Sequence, residues 1–247
     1  VVTLVDSTIV MNAAMGGSGG TGGDAGDAMG GGSNVHGGNG GIGGDGPDGH
    51  GGGIYANGSN FSSTNSTISS NRSGRGLGAS GGEEGLGTPA GQDGSPGMNG
   101  EQGESQGGGL WAAAQGSLLT NTTVTLNQAA DGVGSGIYTD GPALQLHNVI
   151  SGANLNNQDY HGNMIASSSH NVIGDGSQII GVANGDNSNQ FGSTGNVLDV
   201  GLLTLADNGG PTQTHALRGT SPAIDAGDRD RAPEFDQRGE VRSLDNP

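Results

Sequence analysis

Short stretches of alternating apolar and polar residues recur along the chain, each running into a polar residue that is followed six positions later by Asn. Four segments share this frame: Asp6 to Asn12, Asn65 to Asn71, Asn121 to Asn127 and Asn148 to Asn154. Before the first polar position, Val2 and Leu4, Phe61, Leu119, and Leu144 and Leu146 keep one parity, the two-residue period of a strand with one buried face. Ile9, Ile68 and Val124 then shift phase, which predicts a bend between two short strands in each repeat. Upstream of three of the frames lies a glycine-aromatic signal: Gly51-Gly-Gly-Ile-Tyr55, Gly107-Gly-Gly-Leu-Trp111 and Gly136-Ile-Tyr138. A weaker repeat runs through Gly162-Asn-Met-Ile-Ala166 and Asn171-Val-Ile-Gly174, and no long helix is expected.

The spacing of the frames locates two insertions. Asn121 and Asn148 are 27 residues apart, whereas Asp6 and Asn65 are 59 apart and Asn65 and Asn121 are 56 apart. Subtracting one 27-residue repeat leaves insertions of 32 and 29 residues, which fall within two glycine-rich stretches, Gly16 to Gly53 and Gly74 to Gly109. In the first, Gly16, Gly19, Gly22, Gly31, Gly37, Gly40, Gly43, Gly46, Gly49 and Gly52 hold a three-residue frame with Ala25 and Ala28; in the second, Gly82, Gly85, Gly91, Gly94, Gly97, Gly100 and Gly103 do so. Three residues per turn is the period of a polyproline II type helix, in which a glycine face permits close backbone approach. Two such insertions leaving neighbouring repeats at one corner predict a side bundle of glycine helices. Flexible linkers are the alternative that glycine content alone suggests.

These patterns predict an all-β chain: a right-handed parallel β-helix with two polyproline II or polyglycine II type insertions. Repeats of 20 to 30 residues with Asn at equivalent positions suit such a solenoid, where Asn side chains stack along the axis. The expected division is 1–203 for the repeats, with insertions 13–53 and 73–109, and 204–247 for a closing module. Only 30% of the 247 residues are hydrophobic and 56 are Gly. A solenoid tolerates this, because its thin core is buried between stacked repeats.

The formal charge is -17, with 24 acidic side chains against seven Arg and no Lys. Nucleic acid is excluded as an expected partner, since phosphate binding needs clustered cations. There is no Cys, hence no disulfide framework, and no apolar run reaches the length that spans a bilayer. Val1 opens the sequence without a basic and apolar leader, as expected of a mature product or a fragment.

The Gly51–Tyr55 and Asn65–Ser69 motifs resemble those of bacterial surface β-helix proteins related to polymorphic outer-membrane proteins. Thr204-Leu-Ala-Asp-Asn-Gly-Gly-Pro-Thr-Gln-Thr-His-Ala-Leu217, Ser221-Pro-Ala-Ile-Asp-Ala-Gly-Asp228 and Asp236-Gln-Arg-Gly239 resemble the closing module of choice-of-anchor type proteins in that group. The usual Asp-Ile-Gly-Ala-like end is absent here. The resemblance implies export and a cell-surface location, and says little about molecular role.

Candidate chemistry is sparse. Asp225, Asp228 and Asp230 offer hard oxygen ligands for calcium, although Arg229, Arg231 and Arg238 can pair with the local acids instead. Asp159, His161, Asp175 and Asp186 are the raw material for a polysaccharide lyase or hydrolase, without a recognisable site. No catalytic residue or cofactor is assigned. Asn57, Asn60, Asn65, Asn71 and Asn121 begin Asn-X-Ser/Thr sequons. The expectation is a non-enzymatic extracellular structural protein that self-associates into a surface filament. A monomeric carbohydrate-binding or ice-binding adhesin, with surface glycans as partners, is the alternative, and a polysaccharide-active enzyme the second alternative.

Overall fold

The computed structural model describes residues 1–29, 34–88, 91–130, 132–141 and 144–242. The in-frame Gly31 lies outside them. The chain is nearly all β, built on several parallel sheets, and the helical elements among the described residues are three short 3-10 turns. It divides into two units, Val1–Ala14 with His50–Ser73 and Gln106–Pro247, and Met15–Gly49 with Gly74–Ser105.

In the first unit, the predicted alternation forms three parallel sheets. Sheet I joins Val2–Val5, Phe61–Thr64, Leu118–Thr120 and Gln145–His147; sheet II joins Thr8–Val10, Thr67–Ser69, Thr123–Thr125, Ile150–Gly152, Val172–Ile173 and Gln190–Phe191. Sheet III joins Ile54–Ala56, Leu110–Ala112, Ile137–Thr139, Tyr160–Asn163 and Gln178–Ile180. The register follows the sequence spacing: Leu4 pairs with Ser63, Ser63 with Leu119, and Leu119 with Leu146. Ile9, Ile68 and Val124 align in sheet II, as do Ile54, Leu110, Ile137 and Tyr160 in sheet III. Their inward side chains make one narrow core in which Ile68, Leu110, Leu119, Val124, Ile137 and Leu146 are fully buried.

The two polar positions of the repeat do different jobs. Asp6, Asn65, Asn121 and Asn148 adopt left-handed backbone with φ of 47°, 46°, 48° and 55°, turning sheet I into sheet II. Asn and Asp tolerate that conformation better than other residues with a Cβ. Asn12, Asn71, Asn127 and Asn154 form a ladder instead. The Nδ2 of each of the first three donates to the Oδ1 of the next at 3.0 Å, and that same oxygen accepts the donor residue's own backbone N–H. The ladder ends on Asp159, fully buried, whose Oδ1 accepts from the Asn154 amide (2.8 Å) and backbone (3.0 Å) and whose Oδ2 accepts from the Asp175 N–H (2.7 Å). Just before each ladder position a second left-handed residue occurs: Met11, Ser70, Leu126 and Ala153. These types pay about 1–2 kcal/mol for that conformation, which the bonds of the adjoining Asn offset.

The 201–242 segment makes an antiparallel hairpin, Leu202–Ala206 with Thr214–Leu217, and then runs along the side of sheet II rather than over one end. Gln190 Nε2 donates to Pro222 O in the last repeat, Asn148 and Asp228 exchange bonds midway, and Asn65 Nδ2 donates to Phe235 O. In the first repeat Gln237 Nε2 donates to Ser7 O and the Thr8 hydroxyl to Gln213 O. The segment is a strap spanning all the repeats.

In the second unit, four segments, 16–28, 37–49, 76–88 and 91–103, are bonded at every third amide and lie outside strands and helices except at Gly49, which opens the strand Gly49–His50. Gly19, Gly22, Ala25 and Ala28 donate to Leu77, Ser80, Glu83 and Leu86, and Gly40, Gly43 and Gly46 donate to Ser95, Met98 and Glu101. Gly82 and Gly85 donate to Gly41 and Gly38, Gly97 and Gly100 to Gly82 and Ala79, and Gly41 and Gly44 to Gly23 and Gly20. Segments 37–49 and 76–88 each bond all three others, so they carry a second frame of small residues: Gly38, Gly41 and Gly44, and Gly78 and Gly81. Between the frames, carboxylates and amides accept amides of the neighbouring segment. Asp24 takes the Glu83 N–H, Asp27 that of Leu86, Asn39 that of Ser95 and Asp45 that of Glu101. Part of the acidity therefore fixes register.

Candidate functional site

Between the strap and sheet II lies a cleft of about 380 Å3. Its floor is Thr67, Thr123 and Ile150, which share one register, bordered by the left-handed Asn65, Asn121 and Asn148. Its opposite wall comes from Asn208, Thr214 to Leu217, Asp236 to Arg238, and Arg242. Two contacts hold the walls together. His215 Nδ1 donates to Leu203 O at 2.6 Å, leaving Nε2 to accept from the Ser69 hydroxyl at 3.0 Å; the Thr67 hydroxyl donates to Gln237 Oε1 at 2.8 Å.

Two arginines in this wall differ. Arg238 is paired with Asp236 through Nε (2.8 Å) and Nη2 (2.7 Å), and these bonds hold the Asp236 carboxyl below its ordinary range against the opposing effect of burial. Arg242 has no ion pair among the described residues: Nη2 donates to Asn65 Oδ1 at 3.0 Å, and its buried Nε has no partner. Burial lowers its pKa from the usual arginine value. Sequence reasoning did not find this site, because Arg242 and Asn65 are 177 positions apart and no motif links them.

Asp225, Asp228 and Asp230 do not converge. Asp225 is left-handed (φ 55°), while Asp228 caps a 3-10 turn, accepting the Asp230 N–H at 3.0 Å and lying 3.4 Å from Arg231 Nε. Among the described residues, no three His, Asp or Glu side chains are grouped to hold a metal ion. Asp159, His161, Asp175 and Asp186 are also separated in role. Asp159 ends the Asn ladder, His161 stacks on Tyr138 with centroids 5.2 Å apart, Asp175 accepts from Ser177 and Thr194, and Asp186 accepts the Ala183 N–H. Of the sequons, Asn65 and Asn71 are buried and bonded, Asn121 lines the cleft, and Asn57 and Asn60 are exposed.

Sheet III carries an aromatic ladder that the glycine-aromatic signal announces: Tyr55, Trp111, Tyr138 and His161 are in register. Tyr55 and Trp111 stack at 4.7 Å and His50 and Trp111 at 5.1 Å, with Trp111 Nε1 donating to Gln106 Oε1. Trp111 is buried by this packing, whereas Tyr55 is 52% exposed. Among the described residues no helix is long and apolar enough to cross a membrane. Compared with protein-family models, curated proteins and solved structures, the chain finds no match.

Beside the cleft, His147 anchors the strap in a pH-sensitive way. Its Nε2 accepts from Gln145 Nε2 (2.9 Å) and Arg231 Nη1 (3.2 Å), so Nδ1 carries the proton and donates to Ser169 Oγ. Burial, and then the Arg231 charge, lower the His147 pKa; Asp228 opposes them and His170 adds to them. The unfolded chain therefore takes up a proton near pH 6.5 that the folded form refuses, and stability is lost as pH falls below that value. The urea midpoint should fall between pH 7.5 and 5.5, and the fall should be shallower in His147→Gln, which can still accept from Arg231. His161 and His215, also lowered by burial, act in the same direction. Equal slopes in the variant and the wild type would remove His147 from this role.

Proposed function

We propose that the chain is a right-handed parallel β-helix with a side bundle of polyglycine II type helices, and that it is an extracellular structural protein assembling head to tail into a filament. The parallel sheets entered in the same order by successive repeats, together with the unbroken Asn ladder, support the solenoid. Amide bonds at every third residue support the bundle. The observation that carries the assembly is the state of the sheet edges. Val2–Val5 and Thr8–Val10 are terminal strands of sheets I and II, with Val2 60%, Val5 49% and Met11 78% exposed. At the other end Gln178–Ile180 and Gln190–Phe191 are terminal strands, and Ile180 is 60% exposed. Terminal strands of this kind take up further strands, and a polar stack joined end to end does not close.

Electron microscopy of the purified chain tests the assembly. Filaments are expected, and removal of residues 1–10 should leave monomers. Because that deletion also removes core contacts, the charged edge variant Val2→Lys/Val5→Lys is the companion: it should remain folded and monomeric. A wild-type chain that stays monomeric at high concentration would falsify the filament reading. It would favour a monomeric carbohydrate-binding adhesin, the second reading, for which the half-exposed Tyr55 at the end of the aromatic ladder is the supporting feature.

A further inference from the structure

We infer that the cleft between the strap and sheet II is a binding site for a carboxylate-bearing sugar, with Arg242 receiving the carboxylate and Asn121 and Thr123 the hydroxyls. The inference is independent of whether the chain forms filaments. It starts from a gap in the hydrogen bonding of the strap. Asn65 and Thr67 bond the strap through Phe235 and Gln237, and Asn148 bonds it through Asp228. The repeat between them does not. Among the described residues Asn121 bonds only neighbouring repeats, accepting from Asn148 Nδ2 at 3.3 Å and donating its backbone N–H to His147 O, and the Thr123 hydroxyl has no partner. The strap therefore bridges this repeat instead of covering it, and the cleft occupies the space.

A volume of about 380 Å3 lies at the small end of ligand pockets, which run from about 300 to 1,000 Å3. Its wall is rich in amides and hydroxyls and contributes few apolar side chains, a surface suited to a polyhydroxylated molecule. The charge selects further. A partly buried guanidinium with no ion pair among the described residues is costly to keep, and a carboxylate entering the cleft that Arg242 lines relieves that cost with charge-assisted hydrogen bonds. Arg238 cannot contribute a second free cation, because Asp236 already neutralises it. A single negative charge is thus preferred over the double charge of a phosphate, beside a carboxylate and in a chain of net charge -17. Asp236 also opposes anions that bring no hydroxyl contacts.

Titration of the full chain with D-galacturonate, D-galactose and inorganic sulfate at matched ionic strength, followed by amide NMR, tests the site. Galacturonate should shift the Asn121 and Thr123 resonances saturably at millimolar concentrations, and the other two probes should not. Arg242→Gln should weaken galacturonate at least about tenfold, the loss of a charged hydrogen bond. Since Arg242 also bonds Asn65, a second variant guards against a loosened strap: Thr123→Val, which breaks no strap bond, should weaken binding roughly three- to tenfold with an unchanged melting temperature. Equal saturation by sulfate would reduce the site to a general anion site and overturn the sugar assignment. Equal saturation by galactose would remove Arg242 from recognition, and the absence of any saturable shift would overturn the site itself.

Discussion

Replacing Gly40 and Gly43 with Ala is expected to unfold the Met15–Gly49 and Gly74–Ser105 unit, whereas the same double change at Gly20 and Gly23 is expected to leave it intact. All four belong to three-residue frames of the first insertion, so composition and period do not distinguish them. Their surroundings do. A Cβ at Gly40 would overlap the carbonyls of Gly82 and Glu83, and one at Gly43 those of Ala79 and Ser80. These are backbone atoms held in the bonding between segments, so they cannot step aside cheaply. At Gly20 and Gly23 an added Cβ meets nothing within 4 Å, and neither residue has a positive φ that would strain Ala. Ala there restricts the unfolded chain and should be neutral or stabilising by about 0.4–1 kcal/mol. Amide exchange is the measurement. Protection at Gly37, Gly82 and Gly85 should vanish in Gly40→Ala/Gly43→Ala and persist in Gly20→Ala/Gly23→Ala, while Ile68 and Val124 stay protected in both. If both variants lose protection alike, close approach is not what the glycines provide, and a general dependence on glycine flexibility takes its place.

The sequence carried much of this arrangement, and the parts it hid have physical reasons. The 27-residue spacing from Asn121 to Asn148 reappears as strand register, because a parallel stack places equivalent residues directly above one another. The outer glycine frames were visible for a similar reason. The additional frame at Gly38, Gly41 and Gly44 was not read, since a linear pattern does not say how many neighbours a segment touches. The last repeats faded as they shortened: Asn171 stands 22 residues beyond its partner Val149, and Asn189 only 18 beyond Asn171. The course of the strap was hidden most deeply. Gln237 reaches Ser7 across 230 positions, and resemblance to a closing module does not reveal which surface the module covers. Similar separation conceals the cleft, whose floor comes from residues 65–150 and whose opposite wall comes from residues 208–242. Asp159 looked like catalytic material because an isolated acid in a loop has no visible partner in sequence. Its burial and three accepted hydrogen bonds make it the end of the Asn ladder.

Asn127→Leu is expected to cost on the order of 3–6 kcal/mol, enough to remove much of the stability of a domain of ordinary size. The replacement matches Asn closely in shape, so the cost is chiefly one of bonding. Asn127 is fully buried. Its Oδ1 accepts from the Asn71 backbone (2.9 Å) and the Asn71 amide (3.0 Å), and its Nδ2 donates to Ile68 O and Asn154 Oδ1, both at 3.0 Å. With Leu in its place, the Asn71 N–H and one amide hydrogen of Asn71 lose these partners inside the stack, where water cannot replace them, while the Ile68 carbonyl keeps its place in the sheet ladder. Each buried group left this way costs about 1–3 kcal/mol. Asn154 Oδ1 loses less, because it still accepts the Asn127 N–H at 3.0 Å. Asn12 supplies the control. It occupies the same ladder position in the first repeat, but it is exposed, and among the described residues its Nδ2 bonds only Val10 O and Asn71 Oδ1. Asn12→Leu should therefore shift the urea midpoint by no more than about 1 kcal/mol equivalent, since water can solvate what the change releases. Asn127→Asp should be at least as damaging as Asn127→Leu at neutral pH, for a carboxylate retains the acceptor but places a buried negative charge opposite Asn154 Oδ1 and Ile68 O. Acidification that protonates the new carboxyl restores one donor and should recover part of the loss. Equal, small shifts for the Asn12 and Asn127 variants would mean that apolar stacking alone holds the repeats together and that the Asn ladder only decorates them.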